Sequence, residues 1–138
     1  MPPFETIDHT ADFGIRVTAP DLPGLFREAG IALMASMADL RTIDADQRRT
    51  VEVTGADQPD LMVNWLRELL YLFNGEEFLA REIEIQRLTG FSLTAEVAGT
   101  PFNPDRHRIE TEIKAVTYHD IAVKPTADGW TARVIFDI

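Results

Sequence analysis

The sequence predicts an α+β fold, a single-domain sandwich in which two helices pack on a mostly antiparallel sheet. Two stretches place apolar residues at helical spacing, and about seven shorter stretches alternate apolar and polar residues with the period of a strand. No repeat, low-complexity tract or Ser/Gly linker divides the 138 residues, so we expect one domain over residues 1–138.

The N-terminal segment predicts two short strands, Phe4 to Thr10 and Gly14 to Ala19, on either side of a tight acidic turn. Asp21 is a good N-cap for a first helix, which continues to about Asp39. Gly30 lies inside this helix. It weakens the helix by about 1 kcal/mol relative to Ala, unless close packing against a neighbour requires the absent side chain.

The middle of the chain predicts a strand, a second helix and a hairpin. The strand runs from Arg49 to Gly55, and either Asp57 or Asp60 caps the helix that ends at Asn74-Gly75. From Phe78 to Val97 the apolar period is two, which indicates a hairpin. The apolar face of its second strand would carry Phe91, Leu93, Ala95 and Val97.

The C-terminal part predicts a loop, a long strand, a turn and a final strand. The loop spans Gly99 to Arg108, the long strand Glu112 to Val123, the turn Pro125 to Gly129, and the final strand Trp130 to Ile138. On the long strand one face would carry Lys114, Val116 and Tyr118, and the other Ile113, Ala115, Thr117 and His119. Because this strand is rich in polar residues, we expect one face to meet solvent or a ligand.

Composition excludes several classes of function. The chain has no cysteine, which rules out a disulfide framework, an iron–sulfur site and a cysteine nucleophile. With 13 Lys and Arg against 23 Asp and Glu, its net charge of -10 argues against nucleic-acid binding by this chain alone. Its apolar stretches are far shorter than the ~20 residues of a membrane helix, and it opens without a leader segment. We therefore expect a cytoplasmic protein without membrane contact.

Common catalytic and phosphate-binding motifs are absent from the sequence. The two serines, Ser36 and Ser92, lie on a predicted helix and a regular strand, outside any nucleophile turn. The three histidines, His9, His107 and His119, lack the spacing of a zinc site. No glycine-rich phosphate loop is present either.

Carboxylates fall at two places where they can leave the core. Asp8 and Asp12 lie at the turn between the first two strands, and Asp137 ends the last strand beside the free α-carboxylate of Ile138. If Asp12 lies near that terminus, two carboxylates about 4 Å apart repel by about 4 kcal/mol at an effective dielectric of about 20. A hard cation would offset this repulsion. Spacing alone leaves the alternative of an Asx-type turn at Asp12 and a solvated Asp137.

Sequence blocks at both ends of the chain form a recognisable pattern. The N-terminal block is Phe4-Glu5-x-x-Asp8-His9-Thr10-Ala11-Asp12-x-Gly14-Ile15. The C-terminal blocks are Asp105-x-His107, Glu112 to His119, Gly129-Trp130 and Val134 to Ile138. These blocks, with two helices between them, resemble the archease family over essentially the whole chain.

The resemblance implies a function. Archeases are small proteins that assist the RtcB-type RNA ligase, which joins tRNA halves after intron removal, by promoting its guanylylation with GTP and its multiple turnover. We therefore expect a non-catalytic accessory protein that acts in tRNA splicing or RNA repair and has an RtcB-type RNA ligase as its partner.

The resemblance also implies site residues. It gives Asp12, Asp137 and Ile138 as ligands of a divalent cation, Ca²⁺ in first place with Mg²⁺ or Mn²⁺ as alternatives. It makes Lys114 a contact to the ligase or its nucleotide site. Asp8, His9 and His119 lie within the matching blocks and are further candidates for partner contact.

Two other functions are compatible with the residues alone. A metal-dependent hydrolase could use Asp8, Asp12 and Asp137 with His9 as general base, although the sequence offers no second base and no clamp for a substrate phosphate. A chaperone-like acidic module would instead bind several proteins through an exposed apolar patch.

Overall fold

The computed structural model describes residues 4–8 and 12–138, which form two helices and two antiparallel sheets. In chain order the elements are β1 (Phe4–Asp8), β2 (Asp12–Ala19), α1 (Leu22–Met37), a 3-10 helix (Leu40–Thr42), β3 (Gln47–Thr54), α2 (Gln58–Asn74), β4 (Phe78–Leu88), β5 (Ser92–Pro101), β6 (Ala115–Val116), β7 (Ala122–Thr126) and β8 (Gly129–Asp137). The α+β prediction is confirmed, with the strands divided between two sheets. Neither helix in this part of the chain is long and apolar enough to cross a membrane.

The two sheets are held together by the helices. The five-stranded sheet has the order β1-β2-β8-β6, with β7 also paired to β8, and the three-stranded sheet has the order β3-β5-β4. Helix α1 contacts β2 and β4, and α2 contacts β3 and β4 as well as β6 and β7. Apolar side chains of both sheets and both helices form one buried cluster.

Both helices begin at aspartate caps. The Asp21 carboxylate accepts a hydrogen bond from the Gly24 backbone N–H at 2.7 Å, as predicted for α1. For α2 the cap is Asp57, which accepts from the Asp60 backbone N–H at 2.9 Å. This choice leaves the Asp60 side chain free for other contacts.

Close packing explains the glycine inside α1. A Cβ atom on Gly30 would come within 2.6 Å of Ile83 Cδ1 and 2.9 Å of Leu69 Cδ1. Beside it, the fully buried Trp65 donates its indole N–H to the Phe26 carbonyl at 2.8 Å, so its polar atom is satisfied. The missing side chain therefore lets α1, α2 and β4 approach each other.

The predicted long strand from Glu112 to Val123 is wrong. Only Ala115–Val116 pairs with β8 at this end, and Ile113 and Val116 are both 1% exposed, so the proposed alternation of faces fails. The Asn74 side-chain amide donates to the Ile113 carbonyl at 3.2 Å, and Arg67 Nε donates to the Val116 carbonyl at 3.2 Å. Side chains of α2 thus satisfy carbonyls that a longer strand would pair with a neighbour.

Several other boundaries differ from the prediction by a few residues. Strand β5 begins at Ser92, which leaves Phe91 in the turn and 65% exposed instead of on the apolar face. The same strand continues to Pro101, beyond the predicted loop start at Gly99, where the absence of a side chain lets β4 lie close. Strand β2 begins at Asp12, two residues before its predicted start. The predicted end of the first strand at Thr10 lies outside the described residues.

Candidate functional site

The pairing of β2 with β8 brings two predicted metal ligands together. Asp12 lies directly opposite Asp137 in this antiparallel pair. On the other side of β8, Ala115 pairs with Asp137, and the Lys114 backbone N–H donates to the Asp137 carbonyl at 2.8 Å. We call Asp12, Asp137 and Ile138 the acidic end of the five-stranded sheet. The fold supplies the proximity that sequence spacing could not.

Buried side chains on the inward face of β8 favour this register. Ala132, Val134 and Phe136 are at most 1% exposed and belong to the core. A slip of one residue would turn these side chains outward and carry Asp137 toward the core. Stacking of Phe136 on Phe13, with ring centroids 6.3 Å apart, adds an aromatic contact beside the acidic end.

The acidic end places like charges in opposition. Directly opposed residues of an antiparallel pair have Cα atoms roughly 4.5–5.5 Å apart, and like charges there destabilise the pair. Asp12 is partly buried, whereas Asp137 and Ile138 are exposed to solvent. Charge and access therefore both favour a bound cation here.

The donor set fits a hard cation better than zinc. Carboxylate oxygens suit Ca²⁺, Mg²⁺ or Mn²⁺, which also accept main-chain oxygens and water. Among the residues that the structure describes, no three His, Asp or Glu side chains come close enough to hold a metal by themselves. A cation between Asp12 and Asp137 would therefore need a third donor, the role predicted for the carboxylate of Ile138.

Asp8 lies beside the acidic end. Asp8 is the last residue of β1, and its backbone is paired with Phe13, next to Asp12. The backbone therefore brings Asp8 into the neighbourhood of the acidic end. His9 lies outside the described residues.

The two described histidines lie elsewhere. His119 is exposed, and its Nε2 is 3.4 Å from the Asp120 carboxylate, which is itself 3.6 Å from Arg133 Nη2. This groups the His119 side chain with Arg133. His107 is buried and bridges two segments, because Nδ1 accepts from a backbone N–H and Nε2 lies 3.1 Å from the Thr42 carbonyl. That ring is a structural element of the fold.

Lys114 lines a groove that adjoins the acidic end. The groove lies between α2 and β6, has a volume of about 450 Å³, and is lined by Leu70, Tyr71 and Val116 as well as Lys114. The Tyr71 side chain is 54% exposed. An exposed aromatic ring beside an apolar surface is typical of a protein-binding site.

A cluster near this groove was missed from the sequence. The Tyr118 hydroxyl donates to the Asp60 carboxylate at 2.6 Å, and the Arg67 guanidinium lies over the Tyr118 ring at 4.8 Å. The hydrogen bond from Tyr118 holds the pKa of Asp60 below its ordinary value, and it raises the pKa of Tyr118. Asp60 and Arg67 are two helical turns apart, so they share a face of α2. That spacing was the available signal.

The fold and the site define a class of small α+β proteins that present an acidic sheet end next to a groove. The chain belongs to the Archease protein family, whose model matches residues 4–138. Protein archease of Methanosarcina barkeri is 35% identical over 139 residues, which cover 98% of this chain and 95% of that protein.

Solved structures agree with this assignment. The solution structure of Methanobacterium thermoautotrophicum protein 1598 matches with a TM-score of 0.85 and 32% identity, covering 100% of both chains. A crystal structure from Thermotoga maritima, described as an archease and possible chaperone, matches with a TM-score of 0.68 and 21% identity. It covers 97% of this chain and 96% of that one, and its likeness concerns the fold alone.

Proposed function

We propose that this protein is a non-catalytic accessory protein that activates an RtcB-type RNA ligase. It promotes the GTP-dependent guanylylation of the ligase and its multiple turnover in tRNA splicing or RNA repair. Membership of the archease family supports this role. The observation that carries it furthest is the direct opposition of Asp12 and Asp137, because it joins the two terminal sequence blocks into one polar site.

In this proposal the acidic end binds a divalent cation, Ca²⁺ in first place. Asp12 and Asp137 supply carboxylate oxygens, and Ile138 supplies its carboxylate. The bound cation would neutralise the opposed charges and allow the acidic end to approach a partner. The donor set supports a hard cation, since every donor is an oxygen.

The groove between α2 and β6 is the proposed contact surface for the ligase. Lys114 connects the acidic end with the groove, because its backbone N–H donates to the Asp137 carbonyl and Lys114 also lines the groove. Tyr71 offers exposed aromatic area, which protein interfaces favour. A partner seated in this groove would lie next to the acidic end.

The test is guanylylation and multiple-turnover ligation by the cognate RtcB-type ligase, with and without this protein, over titrations of Mn²⁺ and Ca²⁺. The wild-type protein should raise both activities. Asp12→Asn and Asp137→Asn should reduce the stimulation at least tenfold, a loss of about 1.4 kcal/mol in barrier lowering. Lys114→Ala should raise the concentration needed for half-maximal stimulation.

Glu52→Gln is the matched control. Glu52 is an exposed strand carboxylate on the three-stranded sheet, so its removal changes the net charge equally but leaves the acidic end intact. Unchanged stimulation by Asp12→Asn and Asp137→Asn would contradict the proposal. Protection of unrelated proteins from aggregation without any effect on the ligase would favour the chaperone-like role. Phosphoesterase turnover that is lost in Asp12→Asn would favour the hydrolase.

A further inference from the structure

A second pair of like charges lies on the same two strands. Arg16 on β2 is directly opposite Arg133 on β8. Strand β7 extends this face, because Lys124 pairs with Thr131, two residues before Arg133. Side chains two residues apart on a strand point to the same face. Three of the chain's 13 basic residues therefore share one face of the five-stranded sheet.

The opposed guanidinium groups are unfavourable for the fold alone. Like charges directly across an antiparallel pair destabilise it. In addition, Nε of Arg133 is buried and has no hydrogen-bond partner among the residues that the structure describes. A buried donor without a partner costs free energy, which a ligand that accepts its hydrogen bond would recover.

Neighbouring carboxylates neutralise this face only in part. Arg16 lies 3.5 Å from a Glu5 oxygen, and Arg133 lies 3.6 Å from an Asp120 oxygen. Both separations exceed those of good charge-assisted hydrogen bonds. The Glu5 and Asp120 side chains are more than half exposed, which weakens the pairs further. Two carboxylates against three cations leave a positive excess in a protein whose net charge is -10.

These side chains surround an open cleft. It has a volume of about 470 Å³, and its polar lining consists of Arg16, Lys124 and Arg133 together with Thr131 and the carboxylate of Asp120. A cleft of a few hundred Å³ accommodates a small ligand. Guanidinium groups offer planar forks of donors that match phosphate oxygens. We call this region the basic cleft.

We propose that the basic cleft binds the phosphate group of a small ligand. The Arg16 and Arg133 guanidinium groups donate to the phosphate oxygens, Nε of Arg133 gains its missing acceptor, and the Lys124 ammonium adds a third charge. Because both arginines then interact with the same anion, their mutual repulsion is offset. This proposal does not depend on the role of the acidic end.

The test is a titration of ¹⁵N-labelled protein with inorganic phosphate, pyrophosphate and a nucleoside monophosphate, followed by NMR at constant ionic strength set with NaCl. We expect saturable shifts of the Arg133 Nε–Hε signal and of the Thr131 and Lys124 amides. The variants Arg16→Gln and Lys124→Gln should each weaken binding about tenfold. Because both side chains are exposed, these variants should keep the fold, which the amide spectrum reports directly.

Arg87→Gln is the matched control, since Arg87 is exposed on β4 of the other sheet. It should bind phosphate as the wild type does. Tighter binding of the nucleotide than of phosphate would identify a nucleotide ligand, whereas equal binding would identify free phosphate. Absence of saturable shifts in the wild type, or equal shifts in Arg16→Gln, would overturn the proposal.

Discussion

The β2–β8 pair carries opposite charges at two places on the same outward face, its acidic end and its middle. Asp12 faces Asp137 at one end, and Arg16 faces Arg133 four residues further along each strand. With about 3.3 Å per residue, the two pairs are roughly 13 Å apart. Each pair sets like charges against each other, so each opposes the strand pairing that creates it.

The comparison shows which face of the strands determines the fold. The inward residues of β8 are buried and set the register, whereas the like charges on its outward face oppose it. The three-stranded sheet also places Glu84 opposite Glu96, but there Arg48 forms an ion pair with Glu96 and compensates within the chain. The β2–β8 pairs lack such close compensation among the described residues. That difference favours a bound cation at the aspartate pair and a bound anion at the arginine pair.

The largest effect should come from a substitution that disrupts β8, the strand shared by both like-charge pairs. Phe136→Ala removes a fully buried ring from the strand that carries Arg133 and Asp137. We expect the free energy of unfolding, measured in urea, to fall by about 3–5 kcal/mol. Phe91→Ala is the control, because its side chain is 65% exposed and its loss should change stability by less than about 0.5 kcal/mol. Equal effects of the two substitutions would contradict the assigned core.

A smaller effect should distinguish the aspartate pair from the arginine pair. Without metal, Asp137→Asn should raise the free energy of unfolding by about 0.2–1 kcal/mol, because it removes the repulsion from Asp12. In Ca²⁺ at a hundredfold excess over Kd, the wild type should gain about 2.7 kcal/mol, and the variant should lose that gain. Thermal unfolding with and without Ca²⁺ measures both. Arg16→Gln should keep the full stabilisation by Ca²⁺. Loss of this stabilisation in Arg16→Gln would argue against two separate sites.

The smallest effect concerns the cluster beside the groove. The pKa of Asp60 is lowered from its ordinary 3.8, first by the hydrogen bond from Tyr118. A lowered pKa stabilises the fold above 3.8, and this contribution is lost as pH falls through the folded-state pKa. Tyr118→Phe should therefore be less stable than the wild type at neutral pH, and the difference should shrink as the solution is acidified below pH 3.8.

Urea unfolding between acid and neutral pH checks this prediction. The pKa of Tyr118 is raised from 10.0, mainly by its bond to Asp60, so its own contribution is complete below pH 10.0 and is lost as pH rises through the raised folded-state pKa. Tyr71→Phe, on the helix that carries Asp60, should show no such pH-dependent difference. A constant difference between Tyr118→Phe and wild type at all pH values would contradict the assigned hydrogen bond.

Local patterns predicted the fold better than they predicted the site. Caps such as Asp21 and the alternation along β8 are properties of neighbouring residues, so the sequence displays them directly. The meeting of Asp12 with Asp137 depends on strand order, and only the family resemblance indicated it before the structure was known. The prediction of one long strand over residues 112–123 failed because side chains of α2, distant in the chain, replace strand pairing there. The pair of Arg16 and Arg133 carried no signal at all without the register.

The tethering of residues 113–116 by Asn74 and Arg67 has a kinetic consequence. Two hydrogen bonds from α2 side chains and a two-residue strand hold residues 113–116 between α2 and β8, whereas β2 pairs with β8 over eight residues. Local opening of such a border requires less free energy than global unfolding. Hydrogen exchange at the Lys114 amide, which is bonded to Asp137, should therefore be faster than exchange at the amides of the β2–β8 core. Exchange at the Lys114 amide therefore also reports on binding, since a cation or partner bound at the acidic end will slow it.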